Sequence, residues 1–507
     1  MKLRLLAPAA ALAFTASVLP TTDARACGGC FHPPIISQGE STVVTGHRMA
    51  FSTSPTQTVL WDQIKYSGDP KDFAWVLPVR KGAVVQESTD AWFETLEATT
   101  TAQVKSPVIE CPEITRPREM GCARAQTDAF SGGDEDPNAT PPVQVIHQGT
   151  VGAYETVTLS TQTPGALNQW LTDHGYNVDA DIQPIIDAYV AEGFDFIALR
   201  LQPGKGIREM KPVRVVMSGA ALTLPLRMVA AGTGANVAIT LFTITEGRLA
   251  ADKFKNALVS PDELVWDFGS ASSNYAEVRK STLAKNSGLT WLTVLAQKGA
   301  LLSPLPGSSS DDSGFGYDDY YGTPRTIASA YVDQAYDNGE TGILTCKDEL
   351  ALIADSSALV VDPCPIGVAP DDPSCGQIAP GQIDARVLAC GKVDDVKVAL
   401  SGLHPRDVWV TRLEADLPRL ALASDLTLVP AEAQNAVSNM LQAPKGINDD
   451  GLCPTSVPPL SMIAPGYGKS AVRGRIVSRT PLFSYAAMGL LAVGAVLRRT
   501  SRRGARK

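Results

Sequence analysis

The stretch Phe73–Val79, with the sequence FAWVLPV, is apolar at every position. A half-buried strand alternates apolar and polar side chains, whereas a short run that is apolar on both faces is typical of a strand covered on both sides. We therefore predict a central, buried β-strand over these residues. Pro78 is predicted to mark its end, because proline cannot donate a hydrogen bond to a sheet ladder.

Two further β-type runs precede this strand, Thr42–Phe51 and Thr58–Tyr66. In the second run Leu60 and Ile64 share one face in a period-two pattern, and Asp62 interrupts that face. Runs of this kind, bounded by turn residues, are typical of strands. The region around FAWVLPV is therefore predicted to be β-rich.

Helical and strand patterns then follow in mixed order. Helices are predicted over Asp90–Thr99, Pro164–His174, Asp181–Glu192 and Cys346–Asp355. Strands are predicted over Glu155–Leu159, Phe194–Leu201, Val213–Met217, Leu222–Met228, Val237–Ile244, Val396–Leu400 and Asp407–Leu413. Gly175 and Gly193 suit the left-handed position that follows a helix. The pattern predicts an α+β fold, a large β-rich region with several short helices.

The chain has 507 residues, and its composition, with 44% hydrophobic and 19% charged residues, excludes disordered, collagenous and coiled-coil proteins. A low-complexity stretch, 303–323, is too polar to be buried and is predicted as a linker. It would separate a main β-rich α+β domain, 27–302, from a second part of the ectodomain, 324–440. The Gly- and Pro-rich residues 441–480 are predicted as a stalk.

Residues 1–26 have the features of a secretory signal peptide. Lys2 and Arg4 are basic, 5–18 is an apolar run, and Ala24-Arg25-Ala26 offers a cleavage site. The mature chain is then expected to begin at Cys27, outside the cytoplasm.

The C-terminal end predicts a membrane anchor. Residues 481–497 (PLFSYAAMGLLAVGAVL) carry no charge, and six basic residues follow in 498–507. A span of about 17–25 apolar residues crosses a bilayer, and a basic flank stays in the cytoplasm. We expect one transmembrane helix over 481–497 and a basic cytoplasmic tail, 498–507. The segment also resembles bacterial sorting tails, which leaves removal of the tail open.

Charge disfavours a nucleic-acid partner. The formal net charge is −9 for the chain, +2 for residues 1–26 and +6 for 498–507, which leaves −17 for 27–497. A strongly acidic ectodomain repels a phosphate backbone. The membrane is the one partner that the sequence predicts; a protein or envelope partner stays unknown.

Nine cysteines remain after export, and in an oxidising compartment they are interpreted as disulfides. The eight candidates are Cys27, Cys30, Cys111, Cys122, Cys346, Cys364, Cys375 and Cys390. Two pairs, 111/122 and 364/375, bracket proline-containing loops of about ten residues and are predicted to bond locally. If Cys27 bonds to Cys30 and Cys346 to Cys390, Cys453 remains without a partner. The sequence alone leaves the connectivity open. A disulfide is favoured for the CGGC motif, because a redox pair normally follows a strand, haem attachment needs histidine where Phe31 stands, and zinc needs two more ligands.

Motifs of catalysis are absent from the sequence. No GxSxG, HExxH or SxxK pattern occurs, and the five histidines are scattered singly. No catalytic residue, cofactor or metal site is predicted. Acidic clusters at 134–136, at 311–312 with 318–319, and at 448–451 could bind calcium but are interpreted as solvated loops. Asp69 and Asp72, beside FAWVLPV, could serve carboxylate chemistry but are interpreted as turn formers, since they lie next to Gly68 and Pro70.

Several blocks together carry a family resemblance. They are YSGDPKDFAWVLPV at 66–79, ALNQWLTDHGY at 166–176, AYVAEGFDFIALRL at 188–201, LPLRMVA at 224–230 and DVWVTRLEADLP at 407–418. In this order they resemble the bacterial family catalogued as domain of unknown function 2330. The resemblance implies an exported bacterial protein, often membrane-anchored, without an established activity or known catalytic residues. The leading hypothesis is a non-catalytic binding or structural protein of the cell envelope; the alternative is an envelope hydrolase that uses carboxylates.

Overall fold

Two β-sheets stacked face to face, with helices on the outer side of each, form the centre of the described part of the chain, and four smaller sheets of two or three strands accompany them. The computed structural model describes residues 30–31, 43–67, 74–109, 148–159, 165–176, 178, 180, 182–203, 205, 209–230, 235–305, 326–369 and 372–449. The fold is α+β and β-rich, with several short helices, as predicted.

The strands and helices are short, apart from the long strands of one sheet. The strands are β1 (Cys30–Phe31), β2 (Val43–Thr53), β3 (Gln57–Ser67), β4 (Ala74–Val79), β5 (Val84–Glu87), β6 (Gln103–Lys105), β7 (Gln148–Val151), β8 (Tyr154–Leu159), β9 (Asp195–Leu201), β10 (Val213–Ser218), β11 (Thr223–Leu224), β12 (Asn236–Glu246), β13 (Leu249–Ala251), β14 (Lys255–Ala257), β15 (Val265–Asp267), β16 (Ser272–Ser273), β17 (Thr290–Lys298), β18 (Leu359–Val361), β19 (Gln382–Asp384), β20 (Val408–Pro418), β21 (Leu426–Pro430), β22 (Met440–Gln442) and β23 (Lys445–Ile447). The helices are α1 (Asp90–Thr100), α2 (Ala166–Asp173), α3 (Gln183–Ala191), α4 (Leu226–Val229), α5 (Tyr275–Ala284), α6 (Ile327–Asp337), α7 (Leu344–Ile353) and α8 (Asp395–Leu400).

The large sheet has the order β14-β17-β20-β12-β2-β3-β10-β5. Its pairs are antiparallel except for β2 with β12 and β14 with β17. Strand β20 comes from beyond the low-complexity stretch 303–323, yet it lies between β17 and β12. The residues on both sides of that stretch therefore share one sheet.

The small sheet has the order β1-β4-β9-β8-β7, and FAWVLPV supplies β4. All six residues of β4 are buried, which confirms the predicted burial on both faces. Pro78 lies inside the strand, opposite Phe196 of β9, one residue before the strand ends. On its other side, among the described residues, β4 pairs with Cys30 and Phe31, at Trp75 and Ala74.

Side-chain alternation gives the large sheet two apolar faces. Met49, Phe51 and Leu60 point to the small sheet and join Trp75 and Leu77 in the core between the sheets. The residues between them, including Ala50, Val59 and Trp61, point the other way, towards α1, α6 and α8. Helices α2 and α3 cover the outer face of the small sheet. These described elements are thus layered as helix, sheet, sheet and helix.

Two sequence predictions are wrong. The strand predicted over Val396–Leu400 is helix α8, whose buried residues Val396, Ala399 and Leu400 have the i, i+3, i+4 spacing of a helix face. The strand predicted over Leu222–Met228 is reduced to β11 because Pro225 introduces the short helix α4. At the start of a helix the backbone N–H groups have no partner within the helix, so proline, which lacks an N–H, loses no hydrogen bond there.

The predicted membrane segment falls outside what the structure describes. Residues 1–26, 481–497 and 498–507, and the predicted stalk from 450 onwards, are not described. Within the described ranges, no helix has both the length and the apolar character needed to cross a bilayer.

Candidate functional site

A cavity of about 180 Å³ lies between the two sheets, beside β3, β4, β8 and β9 and the segment that leads into β10. Its apolar lining residues are Ile64, Trp75, Tyr154, Leu199, Leu201 and Met210. Its polar lining residues are Asp62, Gln63, Arg200 and Lys211. A concave, mostly apolar pocket with a few polar groups is the usual form of a small-molecule site.

Strand alternation explains why these residues converge. Asp62 and Ile64 are two positions apart on β3, so their side chains point to the same side of the large sheet. Leu199 and Leu201 are related in the same way on β9. Trp75 of β4 lies directly across from Leu199. The cavity is therefore built on rigid strands of both sheets.

Asp62 is the acidic residue of this cavity, and its side chain is 3% exposed. Among the described residues, the hydrogen-bond partner of this carboxylate is His47, whose Nδ1 lies 3.4 Å from Oδ1. A carboxylate can accept about four hydrogen bonds. Burying it without partners is unfavourable. Asp62 therefore retains capacity for a hydrogen-bond donor brought into the cavity.

His47 lies behind Asp62 on β2, and its side chain is fully buried. An ionised carboxylate only accepts hydrogen bonds, so Nδ1 of His47 carries the proton that is shared with Asp62. Nε2 has no hydrogen-bond partner in the described part of the chain. His47 also lines a second void of about 10 Å³, the size that one water molecule requires. This void is too small for an organic ligand, so His47 serves to orient Asp62.

The polar rim of the cavity is held in place by contacts outside it. Tyr154 Oη donates to the backbone carbonyl of Lys211 at 2.9 Å, which joins β8 to the segment before β10. Arg200 forms an ion pair with Glu155, with 2.6 Å between Nη2 and Oε2. Lys211 of the rim also acts on Asp90 of α1: burial raises the pKa of Asp90, and the positive charge of Lys211 lowers it. The rim therefore places cationic groups near the mouth and Asp62 in the interior.

One protein-family model matches the chain. The family described as "Uncharacterized protein conserved in bacteria (DUF2330)" covers residues 22–306, more than half of the chain. The chain belongs to this family. The match confirms the resemblance seen in the sequence, and it includes the whole cavity, from Asp62 to Lys211. No curated protein and no solved structure matches this DUF2330 protein.

A buried carboxylate elsewhere in the DUF2330 protein is saturated with donors. Asp395, at the start of α8, is fully buried. Its oxygens accept from Trp61 Nε1 and Tyr331 Oη, both at 2.7 Å. They also accept from Ser88 Oγ at 2.9 Å and from Arg214 Nη1 at 3.0 Å. Because these donors fill its acceptor positions, Asp395 is a structural centre and not a ligand site.

A second buried ionic cluster centres on β20. Arg412 and Glu414 are two positions apart, with 2.7 Å between Nη2 and Oε1. Glu97 of α1 lies 2.8 Å from Arg412. Arg279 of α5 lies 2.5 Å from Glu414. The charges pair with one another, so this cluster also holds helices to the large sheet.

The structure describes the side chains of four of the eight cysteines that were predicted to form disulfides. Cys346 is bonded to Cys390, and Cys364 to Cys375; both pairings were put forward from the sequence. Cys27, Cys111 and Cys122 lie outside the described residues, and only the backbone of Cys30, in β1, is described.

The acidic residues singled out in the sequence do not form a described site. Asp69 and Asp72, the clusters at 134–136 and 311–319, and the end of the 448–451 cluster lie outside the described residues. Asn448 donates from Nδ2 to Asp267 Oδ1 at 2.8 Å. No group of three or more His, Cys, Asp or Glu residues able to hold a metal ion occurs among the residues that the structure describes.

Sequence reasoning missed the pairing of His47 with Asp62. One signal was available, since Asp62 interrupts an otherwise apolar strand face. A charged residue at such a position needs a buried partner or a functional reason. Its partner could not be identified, because the contact depends on the register of β2 against β3, where His47 lies opposite Ile64 and Met49 opposite Asp62.

Proposed function

We propose that this DUF2330 protein is an extracytoplasmic, membrane-anchored protein of the cell envelope that binds a small ligand between its sheets without catalysing a reaction. The observation that carries the binding role is the cavity of about 180 Å³ with Asp62 in its wall. An apolar cavity of about 150 Å³ already suffices for benzene. The ligand is therefore a compact molecule with an apolar body.

Asp62 defines the polar end of this ligand. A buried carboxylate with one long hydrogen bond is best stabilised by a cationic donor, because charge-assisted hydrogen bonds are about twice as strong as neutral ones. An ammonium group on a ring-sized apolar body meets both requirements. Trp75 and Tyr154 supply aromatic surface for the body and for cation–π attraction.

A hydrolase is less well supported by the geometry. Acyl or glycosyl transfer needs a nucleophile with a base, or two carboxylates. Among the described lining residues, Asp62 is the one carboxylate, and none is Ser, Thr or Cys. The hydrolase alternative rests on Asp69 and Asp72, whose placement is outside the described residues.

The envelope location is supported by the ends of the chain and by its disulfides. Residues 1–26 resemble a signal peptide, and 481–497 with 498–507 resemble a membrane anchor with a basic flank. Disulfides such as Cys346–Cys390 persist mainly in oxidising compartments. Fractionation of cells that express the chain with and without 481–507 tests the anchor. The full chain should need detergent for release, and the shortened chain should be soluble; release of the full chain without detergent would disprove the anchor.

Calorimetric titration with benzylamine, benzyl alcohol and benzoate tests the cavity. We expect benzylamine to bind best and benzoate worst. Asp62→Asn should weaken benzylamine binding about tenfold, since it removes one charge-assisted contact, and should leave benzyl alcohol nearly unchanged. Leu201→Trp should abolish binding of all three by filling the cavity. The control is Asp416→Asn, on β20 and away from the cavity. If none of the three binds in a saturable way, or if Leu201→Trp has no effect, the proposed site is wrong.

A further inference from the structure

A second concave surface lies on the outer side of the small sheet, where β7 and β8 meet helix α2. Its volume is about 540 Å³, within the range of about 300–1,000 Å³ that ligand sites usually have. Trp170 and His174 form one wall, and Glu155, Thr156 and Arg200 belong to the strands beneath. We refer to it as the outer groove. It is distinct from the cavity between the sheets, although Arg200 touches both.

On the helix side of the outer groove, the rings of Trp170 and His174 lie against each other. The ring centroids of Trp170 and His174 are 4.4 Å apart, with planes inclined by 30°. His174 Nδ1 lies 2.7 Å from the carbonyl oxygen of Trp170. A carbonyl oxygen only accepts, so Nδ1 donates and Nε2 of the neutral ring is left as an acceptor. No described residue bonds this Nε2. The ring centroid of Trp170 also lies 6.4 Å from that of Tyr176, with planes inclined by 16°, and Trp170 is half-buried. The wall therefore offers part of the Trp170 ring beside an oriented acceptor.

The strand side supplies paired charges. Arg200 donates from Nε and Nη2 to Oε2 of Glu155, both at 2.6 Å. Their side chains are 28% and 38% exposed, so both groups keep contact with the groove. One positive and one negative group leave this strand side neutral while presenting several donors and acceptors in fixed directions. This combination disfavours an anionic polymer and suits an uncharged, hydroxyl-rich ligand.

From this arrangement we infer that the outer groove binds a neutral oligosaccharide. The apolar face of one sugar ring stacks on Trp170. Its hydroxyl groups donate to Glu155 and to Nε2 of His174, and accept from Arg200. Each hydroxyl both donates and accepts, so it can use both members of the ion pair.

Titration with three neutral tetrasaccharides, maltotetraose, cellotetraose and chitotetraose, tests the inference on the full chain in detergent. At least one should bind saturably at millimolar concentration or below. Trp170→Ala should weaken that binding about tenfold, and Trp170→Phe, which keeps a smaller ring, should weaken it less. Glu155→Gln should weaken it as well, because the carboxylate is a stronger acceptor than an amide.

Trp266→Phe is the matched control. Trp266 of β15 belongs to a different sheet from β7 and β8, and it packs in a small cluster that contains no residue of α2. It should bind sugar as the unaltered protein does. Circular dichroism and thermal melting show whether each variant is folded; if Trp170→Ala is not, Trp170→Phe and Glu155→Gln decide. Failure of all three sugars to bind, equal binding by folded Trp170 and Glu155 variants, or binding of an uncharged peptide in their place would overturn the inference. None of these results depends on benzylamine binding in the cavity.

Discussion

Asp395 carries a charge in a fully buried position, and its carboxylate joins β3, β10, α6 and α8. Arg214 is its counter-ion, and Nη1 of this residue lies 3.0 Å from Asp395 and 2.5 Å from Asp394. Burial alone would disfavour the charge on Arg214, but the two carboxylates outweigh burial and raise the pKa of Arg214. The group is therefore an ion pair held inside the protein.

Asp395→Asn keeps the size of the side chain but removes its charge. Trp61, Tyr331 and Ser88 then lose a charged acceptor, and Arg214 keeps Asp394 as its charged partner beside the neutral acceptor Gln86. Breaking a buried ion pair from one side costs about 3–5 kcal/mol. We expect a loss of about 3 kcal/mol in the free energy of unfolding by urea, since Asp394 remains.

Asp384→Asn is the comparison for this prediction. Asp384 pairs with Arg386 at a more exposed position, with side chains 21% and 32% exposed. A surface ion pair contributes about 0–1 kcal/mol. Equal losses in the two variants would contradict the structural role of Asp395.

Tyr275 is one of the tyrosines, with Tyr189 and Tyr331, whose raised pKa should make the protein less stable at alkaline pH. Burial on α5, followed by the charge of Glu414, raises the pKa of Tyr275 to about 12. An unfolded phenol has a pKa of about 10. The folded state therefore holds this proton more tightly, and the resulting stability is complete below about pH 10 and is lost as the pH rises towards 12.

Tyr275→Phe should flatten the fall of unfolding free energy between about pH 10 and 12, because phenylalanine has no proton to lose. Urea unfolding at several pH values measures the effect. Tyr336→Phe is the control, since Tyr336 is 51% exposed. A profile for Tyr275→Phe that matches the unaltered protein would show that this phenol does not contribute to the alkaline fall in stability.

At the scale of elements, most of the strands and helices that were predicted lie near their true bounds, whereas α5, α6 and β17 were not predicted. Helices α2 and α3 are followed by Gly175 and Gly193, both with φ of +81°, as the sequence indicated. The error at α8 arose because two valines in a six-residue helix favour a strand by propensity. Tertiary burial of Val396, Ala399 and Leu400 overrides that preference.

The two described disulfides should differ in their effect on stability. Cys346 and Cys390 are fully buried and 44 residues apart, whereas Cys364 and Cys375 are 11 apart. The loop-entropy estimate is about 4 kcal/mol for the longer loop and about 3 kcal/mol for the shorter. Loss of buried sulfur packing adds to the first figure.

The double variant Cys346→Ala/Cys390→Ala should therefore lose more unfolding free energy than Cys364→Ala/Cys375→Ala. Urea unfolding without reductant measures both. Each double variant removes one bond and leaves the other as an internal control. A larger loss in the 364/375 variant would contradict the argument from loop length and burial.

At the scale of the whole molecule, the sequence predicted the fold class but not the sheet order. The α+β class follows from local periods, which are visible in any window of the chain. The insertion of β20 between β17 and β12 is a long-range pairing that leaves no local signal. The cavity was unpredictable for the same reason, because it combines Asp62 with Leu199 and Lys211 from distant segments. Export and the anchor over 481–497 stay predictions.

The position of β20 predicts that the residues before and after the low-complexity stretch cannot separate. Its ladder with β12 runs from Val408 opposite Glu246 to Pro418 opposite Asn236, and β17 pairs on its other side. Residues 27–302 alone would lack the strand between β17 and β12. A chain with a specific protease site inserted after Ser309, in the low-complexity stretch, should therefore be cut into two fragments that still elute together on a sizing column.

Urea should separate those fragments without reductant, because both described disulfides, Cys346–Cys390 and Cys364–Cys375, lie on the C-terminal side of the cut. Leu413→Ala, at a fully buried position of β20 facing the small sheet, removes part of the core that joins the fragments. A buried leucine replaced by alanine costs about 2–5 kcal/mol, so the cut variant should dissociate at lower urea. Leu420→Ala is the control, because Leu420 is 91% exposed. Separation of the unaltered fragments in native buffer would mean that β20 does not hold the two parts together.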